Sequence, residues 1–461
     1  MAIQALPASG STNWYGYMQD TDAAIRANQA SLSYTKALDD FRAGTDPDWT
    51  NAFNAAVTWS STNKTPVAIR ASSTDYTVAS PITVLGDTKL IGPHVPAWAP
   101  EATGARPAAV VRPAATGFPN NRGLFEIEST TSGGRSIMLS GFGLRGYSVG
   151  TGISGIVLPG ITSRPELGLT LTDLDISKFS GHGLSGGGRV TFLRKLMIHE
   201  CLGYGINQNL PWNDSRMQWV YCFYNKLGGL NIDANSQQLT VSQSRFERSG
   251  QSPGNVSVTT DPLWNANAPG IRIRSGASLS FVQVDTDANN GAGVDIRTET
   301  STPTNKPTSI TFLACHFVRD GQGAGNTTNT TSAGVVVQGF AQGTPELQRI
   351  QFSQCSVNYA VGSDDGSTSA VNPARALWIE NTSYCGVFGG SFDGAVNQYY
   401  FGTSPDPATK NWQLYIINPQ DEIMMLPNQW NDPPFTTAGM IRYDALNDVV
   451  QRHNGTAWTT V

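Results

Sequence analysis

The sequence predicts an all-β chain wound as a right-handed parallel β-helix, a solenoid with N-terminal capping helices and a small C-terminal β module. Three observations point there. Only 14% of residues are charged, while 48 Gly and 26 Pro are spread over 461 positions, which suits many short strands and turns better than long helices. A Gly- or Ala-led apolar element recurs through the middle of the chain, and three of its intervals fall at 22–24 residues. When those repeats are superimposed, cysteines and small or apolar residues share one column. Units of that length, with strands too short to stand alone, bury a core only by stacking. The hydrophobic content of 39% is ample for such a core.

Each part of the chain fits this plan. Residues 1–45 read as a partly helical attachment segment, with a capped helix start near Thr21–Asn28. A helix over 48–59 places Trp49, Phe53, Ala56 and Val57 on one face, ready to cover the open end of a stack of strands. The period then drops to two, in Val67–Arg70, Tyr76–Val78, Ile82–Val84 and Lys89–Gly92. The repeating element runs from Gly155-Ile156-Val157-Leu158 to Ala376-Leu377-Trp378-Ile379, so the β-helix is assigned to 46–397. A leucine-rich repeat would need a recurring Leu ladder, and a propeller blade would need about 40 residues throughout. Neither matches. Residues 398–461 break the repeat, and alternating runs on either side of Asp444–Asp448 read as a hairpin in a C-terminal module.

Several function classes are excluded by what is missing. The net charge is −5 and no basic run occurs, so neither nucleic acid nor membrane insertion is expected. The N-terminus lacks the pattern of a secretory signal, which implies synthesis in a cytoplasm. Nucleotide-binding loops and zinc motifs are absent. No metal or other cofactor is expected. The Gly321–Gly325 run and Asp364-Asp365-Gly366 read as turns, and the five cysteines do not suggest a disulfide framework.

The column alignment nominates a site. Leu174, Leu196, Ser244, Val284, Cys315 and Cys355 form an inward column, with Cys222 a further candidate. The residues one and three positions later then face outward. Glu247 and Asp287 thereby fall side by side on consecutive coils, flanked by Arg245 and Asp285. Paired carboxyls at ~5–5.5 Å suit retaining glycoside hydrolysis and ~6.5–9.5 Å suits inversion. These two are the expected catalytic residues, with Arg245, Asp285, His199 and Trp264 as expected substrate contacts. Asp173 and Asp175 form a weaker second pair. The bland reading is that the acids are solvent-facing and keep the surface soluble. On the Cys222 coil a competing register turns Trp219 and Phe223 inward and Cys222 outward, and both cannot hold. Insertions at 251–268, 300–309 and 321–333 could wall a groove.

The run Asp48–Val57, Val67–Ile69, Tyr76, Pro81-Ile82 and Thr88–Gly92 resembles the entry of the pectate-lyase-superfamily right-handed β-helix, over residues 46–160. The opening Leu6–Trp14 and the closing Gly439–Asp444 with Asn454–Trp458 are similar to segments of bacteriophage tail proteins. The resemblance implies a phage tailspike or receptor-binding tail protein: a homotrimer that recognises, and in many members depolymerises, bacterial surface polysaccharide. It further implies a place in the virion tail, joined to a tail or baseplate protein through the N-terminal segment. The calcium-binding carboxylates of pectate lyases are not legible here. Two alternatives stay open, a non-catalytic structural or glycan-binding minor tail protein and a free bacterial polysaccharide lyase or hydrolase.

Overall fold

The computed structural model describes residues 36–94, 107–128, 135–158, 167–253, 261–298, 306–321, 333–339, 347–358, 375–380, 382–383 and 385–392, and the strand segments 397–401, 415–418, 423–425, 441–444, 449–453 and 458–460. It is a right-handed parallel β-helix. Each full coil carries strands on three faces. In one coil Thr191–His199 bends across the first two faces and Tyr204–Gln208 forms the third. The next coil repeats this with Trp212–Phe223 and Gly228–Ile232. Pairing is parallel from Lys36–Ala37 on Val67–Ala68 through to Arg375–Glu380 on Asn397–Phe401. Tyr415–Asn418 also pairs in parallel, with Gly386–Phe392, so the parallel sheet runs on past the expected end at residue 397.

Corners are set by residues in the left-handed conformation. Lys195, Trp219, Gln243, Gln283, Ala314 and Gln354 (φ +49° to +55°) bend the chain from the first face to the second. Lys178, Glu200, Tyr224, Arg248, Ala288 and Arg319 (φ +50° to +58°) end the second face. None is glycine, so each costs about 1 kcal/mol. The ladder offsets this by keeping corner N–H groups bonded to the next coil, as Gln243 is to the Val282 carbonyl (3.0 Å) and Arg248 to that of Asp287 (2.9 Å).

The bends also break the in–out alternation. Met217 and Val220, three apart, both point inward because Trp219 turns the chain between them. Of the two registers open for that coil, the one burying Cys222 is found. Val220 takes the place beside Leu196, and Cys222 lies in the next inward column between Ile198 and Phe246. Trp219 stands at the corner, and Phe223 lies in the outward column. Cys315 and Cys355 are buried as expected.

The core is layered coil by coil. Phe281, Phe312 and Phe352 stack at 4.7 and 4.9 Å with planes within 10°. One inner corner is polar. Asn225 accepts the Cys201 N–H (3.1 Å) and donates to the Ile198 carbonyl (3.0 Å). Asn289 accepts the Ser249 N–H (2.9 Å) and donates to the Phe246 carbonyl (3.0 Å). Asp320 continues this ladder by accepting the Asn289 N–H (3.1 Å).

The expected helix spans Thr50–Asn63 and buries Ala52, Phe53, Ala56, Val57 and Ser60. Phe53 meets the edges of Tyr76 (6.3 Å) and Phe125 (5.9 Å), closing the first coils. The helix start near Thr21–Asn28, most of the Gly321–Gly325 run and Asp364–Gly366 lie outside the described residues, as do parts of the three insertions. Near the C-terminus Ile441–Asp444 pairs antiparallel with Val449–His453, the hairpin expected around Asp444–Asp448, and Trp458–Thr460 adds a third strand.

Candidate functional site

The second face carries the candidate site. Arg245 pairs with Asp285 and Glu247 with Asp287 across neighbouring strands, in the register read from the sequence. The outward column runs Ser177, His199, Phe223, Glu247, Asp287, Val318. These side chains leave the barrel wall but do not reach open solvent. Glu247 is 6% exposed and Asp287 5%, which corrects the expectation of solvent-facing acids. The covering groups come from the neighbouring outward column and from the left-handed corner row.

Arg245 joins the two acids. Its Nε lies 2.6 Å from Glu247 Oε2, and its Nη2 donates to Asp287 Oδ2 at 2.8 Å. Arg319 grips Asp287 from the other side with Nε on Oδ1 (2.8 Å) and Nη2 on Oδ2 (2.6 Å), the bidentate geometry of strong guanidinium–carboxylate pairs. The Tyr221 hydroxyl donates to Glu247 Oε1. Burial raises the Glu247 pKa above the ordinary carboxylate range, against the opposing pull of Arg245 and the Tyr221 hydrogen bond. Burial likewise raises Asp285, opposed by His316 and Arg245.

A second network adjoins the first. His199 is 3% exposed, with Nδ1 on Glu200 (2.8 Å) and Nε2 on Asp175 (3.1 Å). Burial alone would lower its pKa, but the two carboxylates overcome this and bring it up to about 9. Phe223 stacks on His199 at 4.6 Å and on Tyr221 at 4.5 Å, so an aromatic bridge links the two networks. Both ring nitrogens of His199 are engaged, and this expected substrate contact is an internal cation. Asp175 belongs to that network, whereas Asp173 sits at a corner bound to His94. Asp285 is half-buried beside Arg245. Trp264 is half-buried on the insertion after Gly250, whose end is pinned by the Asn265 N–H on the Gly250 carbonyl (3.0 Å).

Sequence reasoning missed Arg319, and placed Tyr221 only among the aromatics around the acidic patch, not as a partner of Glu247. The same column arithmetic could have found both. Tyr221 precedes Arg245 in one outward column, and Arg319 follows Val318 as Ala288 follows Asp287.

No family model and no curated protein sequence matches the chain. Solved structures match its fold. The enzymatically active domain of bacteriophage CBA120 tailspike protein 2 aligns at 13% identity with a TM-score of 0.53, over 80% of this chain and 52% of that one. The likeness is one of fold, the right-handed parallel β-helix. The N-terminal fragment of bacteriophage Phi29 gene product 12 aligns at 14% identity and a TM-score of 0.51, covering 87% of this chain and 69% of that one. The chain thus spans about half the length of the CBA120 domain (52%).

Proposed function

We propose that this chain is a phage tailspike or receptor-binding tail protein that recognises bacterial surface polysaccharide and cleaves it at the Glu247–Asp287 pair. In this reading it works in the virion tail as a homotrimer, attached to a tail or baseplate protein through residues 1–45. The observation that carries the reading is the pair of stacked carboxyls touched by one guanidinium. Contacts of 2.6 and 2.8 Å to Arg245 keep them inside the ~9.5 Å upper limit for glycosidase pairs. Their surroundings differ as an acid and its partner require. Glu247, its pKa raised by burial, protonates the leaving glycosidic oxygen. Asp287, charge-paired with Arg245 and Arg319, faces the positive charge that develops on the sugar ring, and a water then adds to the anomeric carbon and returns its proton to Glu247. The fold of the CBA120 domain supports the tailspike half of the reading.

One observation favours the non-catalytic alternative. Asp287 already accepts three guanidinium hydrogen bonds, which leaves it little capacity to act as base or nucleophile. The deciding experiment incubates the purified chain with a panel of bacterial capsular and O-antigen polysaccharides and follows their size by gel filtration. Glu247→Gln should lower turnover by roughly 10²–10⁴ while binding persists. A polymer bound but left intact by the wild type supports the non-catalytic reading. Binding to none of the panel removes glycan recognition and leaves only the structural tail role.

A further inference from the structure

Arg248 differs from the other cations of the second face. Arg245 is shared between two acids, Arg319 holds Asp287, and Arg145 and Lys178 lie 3.9 and 3.7 Å from Asp175 and Glu200. Arg248 is half-buried, and its guanidinium makes one hydrogen bond, Nη1 to the Tyr224 hydroxyl at 3.2 Å. Among the described residues it forms no ion pair. Its left-handed corner position (φ +50°) sets it immediately beside Glu247. Along that corner row Tyr224 precedes it and Ala288 follows, so the row drops from two long side chains to a methyl group level with Asp287. Tyr224 itself rests edge-on against Phe223 at 5.7 Å. The result is a cation with unused N–H groups and an aromatic ring, next to the candidate acid pair.

We propose that Arg248 and Tyr224 form an anion-binding subsite, and that the polysaccharide recognised is acidic, with a sugar carboxylate taking the N–H groups that Tyr224 leaves unused. This rests on the glycan reading above and narrows it to a substrate class. A half-buried guanidinium keeps its charge, and a planar carboxylate matches its fork. The Arg248 guanidinium lies over the Tyr224 ring at 5.8 Å, which holds it in place beside the pair. Arg245, expected from the sequence to contact substrate, is already committed to Glu247 and Asp287. Arg248 takes that role.

The test measures binding of the full chain to polygalacturonate and polysialic acid, to the same polymers after chemical reduction of their carboxyls, to neutral dextran and mannan, and to a phosphate-bearing teichoic acid. The expected result is binding to at least one carboxylate polymer and at least tenfold weaker binding to its reduced form. Arg248→Gln should weaken the carboxylate polymer by about 10- to 100-fold, as loss of a hydrogen bond to a charged group does, and leave the reduced form unchanged. Arg248→Lys, which keeps the charge but not the fork, should fall between. Tyr224→Phe, which releases Nη1, should keep the preference for the carboxylate polymer and provides a check if the Arg248 variants misfold. Equal binding to carboxylate and reduced polymers, or Arg248→Gln binding as the wild type does, overturns the acidic subsite and leaves the glycan reading standing. Preference for the teichoic acid over every carboxylate polymer overturns the sugar carboxylate as the anion. Binding to none of the polymers overturns both readings.

Discussion

Asp320 is a carboxyl sealed inside the coil. It is 1% exposed and accepts hydrogen bonds from Thr286 Oγ1 (2.5 Å), the Asn289 N–H (3.1 Å) and Asn289 Nδ2 (2.8 Å). Among the described residues no cation pairs with it. Burial pushes its pKa up to about 8, against the pull of those donors, and the nearby Asp287 adds to the rise. In the unfolded chain the same group titrates near ~3.9. Between about pH 4 and pH 8 the folded state therefore holds a proton that the unfolded state has lost, and stability falls as pH rises. At pH 7 the gap of about three units corresponds to about 4 kcal/mol. Asp320→Asn keeps an oxygen for the Asn289 donors, and the Thr286 hydroxyl can rotate to accept from the new amide. The variant should match the wild type near pH 4 and exceed it by about 4 kcal/mol at pH 7. Denaturant unfolding of both chains from pH 4 to pH 9 measures this. A difference that does not change with pH, or one that grows toward acid, would refute the reasoning.

His199 should show the opposite slope. Its folded pKa of about 9 lies above the unfolded value near ~6.5, so it contributes about 3 kcal/mol below pH 6.5, lost as pH rises through 9. His199→Gln should therefore destabilise the chain much more at pH 6 than at pH 9.5 in the same unfolding assay. Phe312→Ala removes the middle ring of the Phe281–Phe352 stack and should cost about 3–5 kcal/mol, read as a lower unfolding midpoint at every pH.

The part of this architecture legible in the sequence is the part governed by parallel registry. Stacked coils repeat the same in–out choice at each column, so placing Ser244 and Val284 in the column of Cys315 and Cys355 sets Glu247 opposite Asp287. The burial of those acids was not legible, because it depends on how Arg245, Arg319 and Tyr221 lie over them, and period-two alternation does not encode that. The Trp219 coil shows a second limit. A left-handed residue at a corner restarts the alternation, so reading inward positions straight through 217–223 puts Phe223 on the wrong side. His199 illustrates a third. Its column was correct, but Glu200 folds back from the corner to take the second ring nitrogen.

The polar inner corner bears on how the chain finds its alignment. Apolar columns such as Leu279, Ile310 and Ile350 would tolerate a strand sliding by one entire coil, since each residue meets another of similar size. Such a slip would be almost silent on the greasy faces. It would not be silent at Asp320, whose side-chain partners are Thr286 Oγ1 and Asn289 Nδ2, whereas Asn225 and the amide oxygen of Asn289 bond main-chain groups of a kind every coil offers. Shifted by one coil, Asp320 would meet the column position of Phe246 in place of Thr286, losing a partner in a dry interior at a cost of about 1–3 kcal/mol. Asp320 thus numbers its own coil, telling one turn of a repetitive spiral from the next.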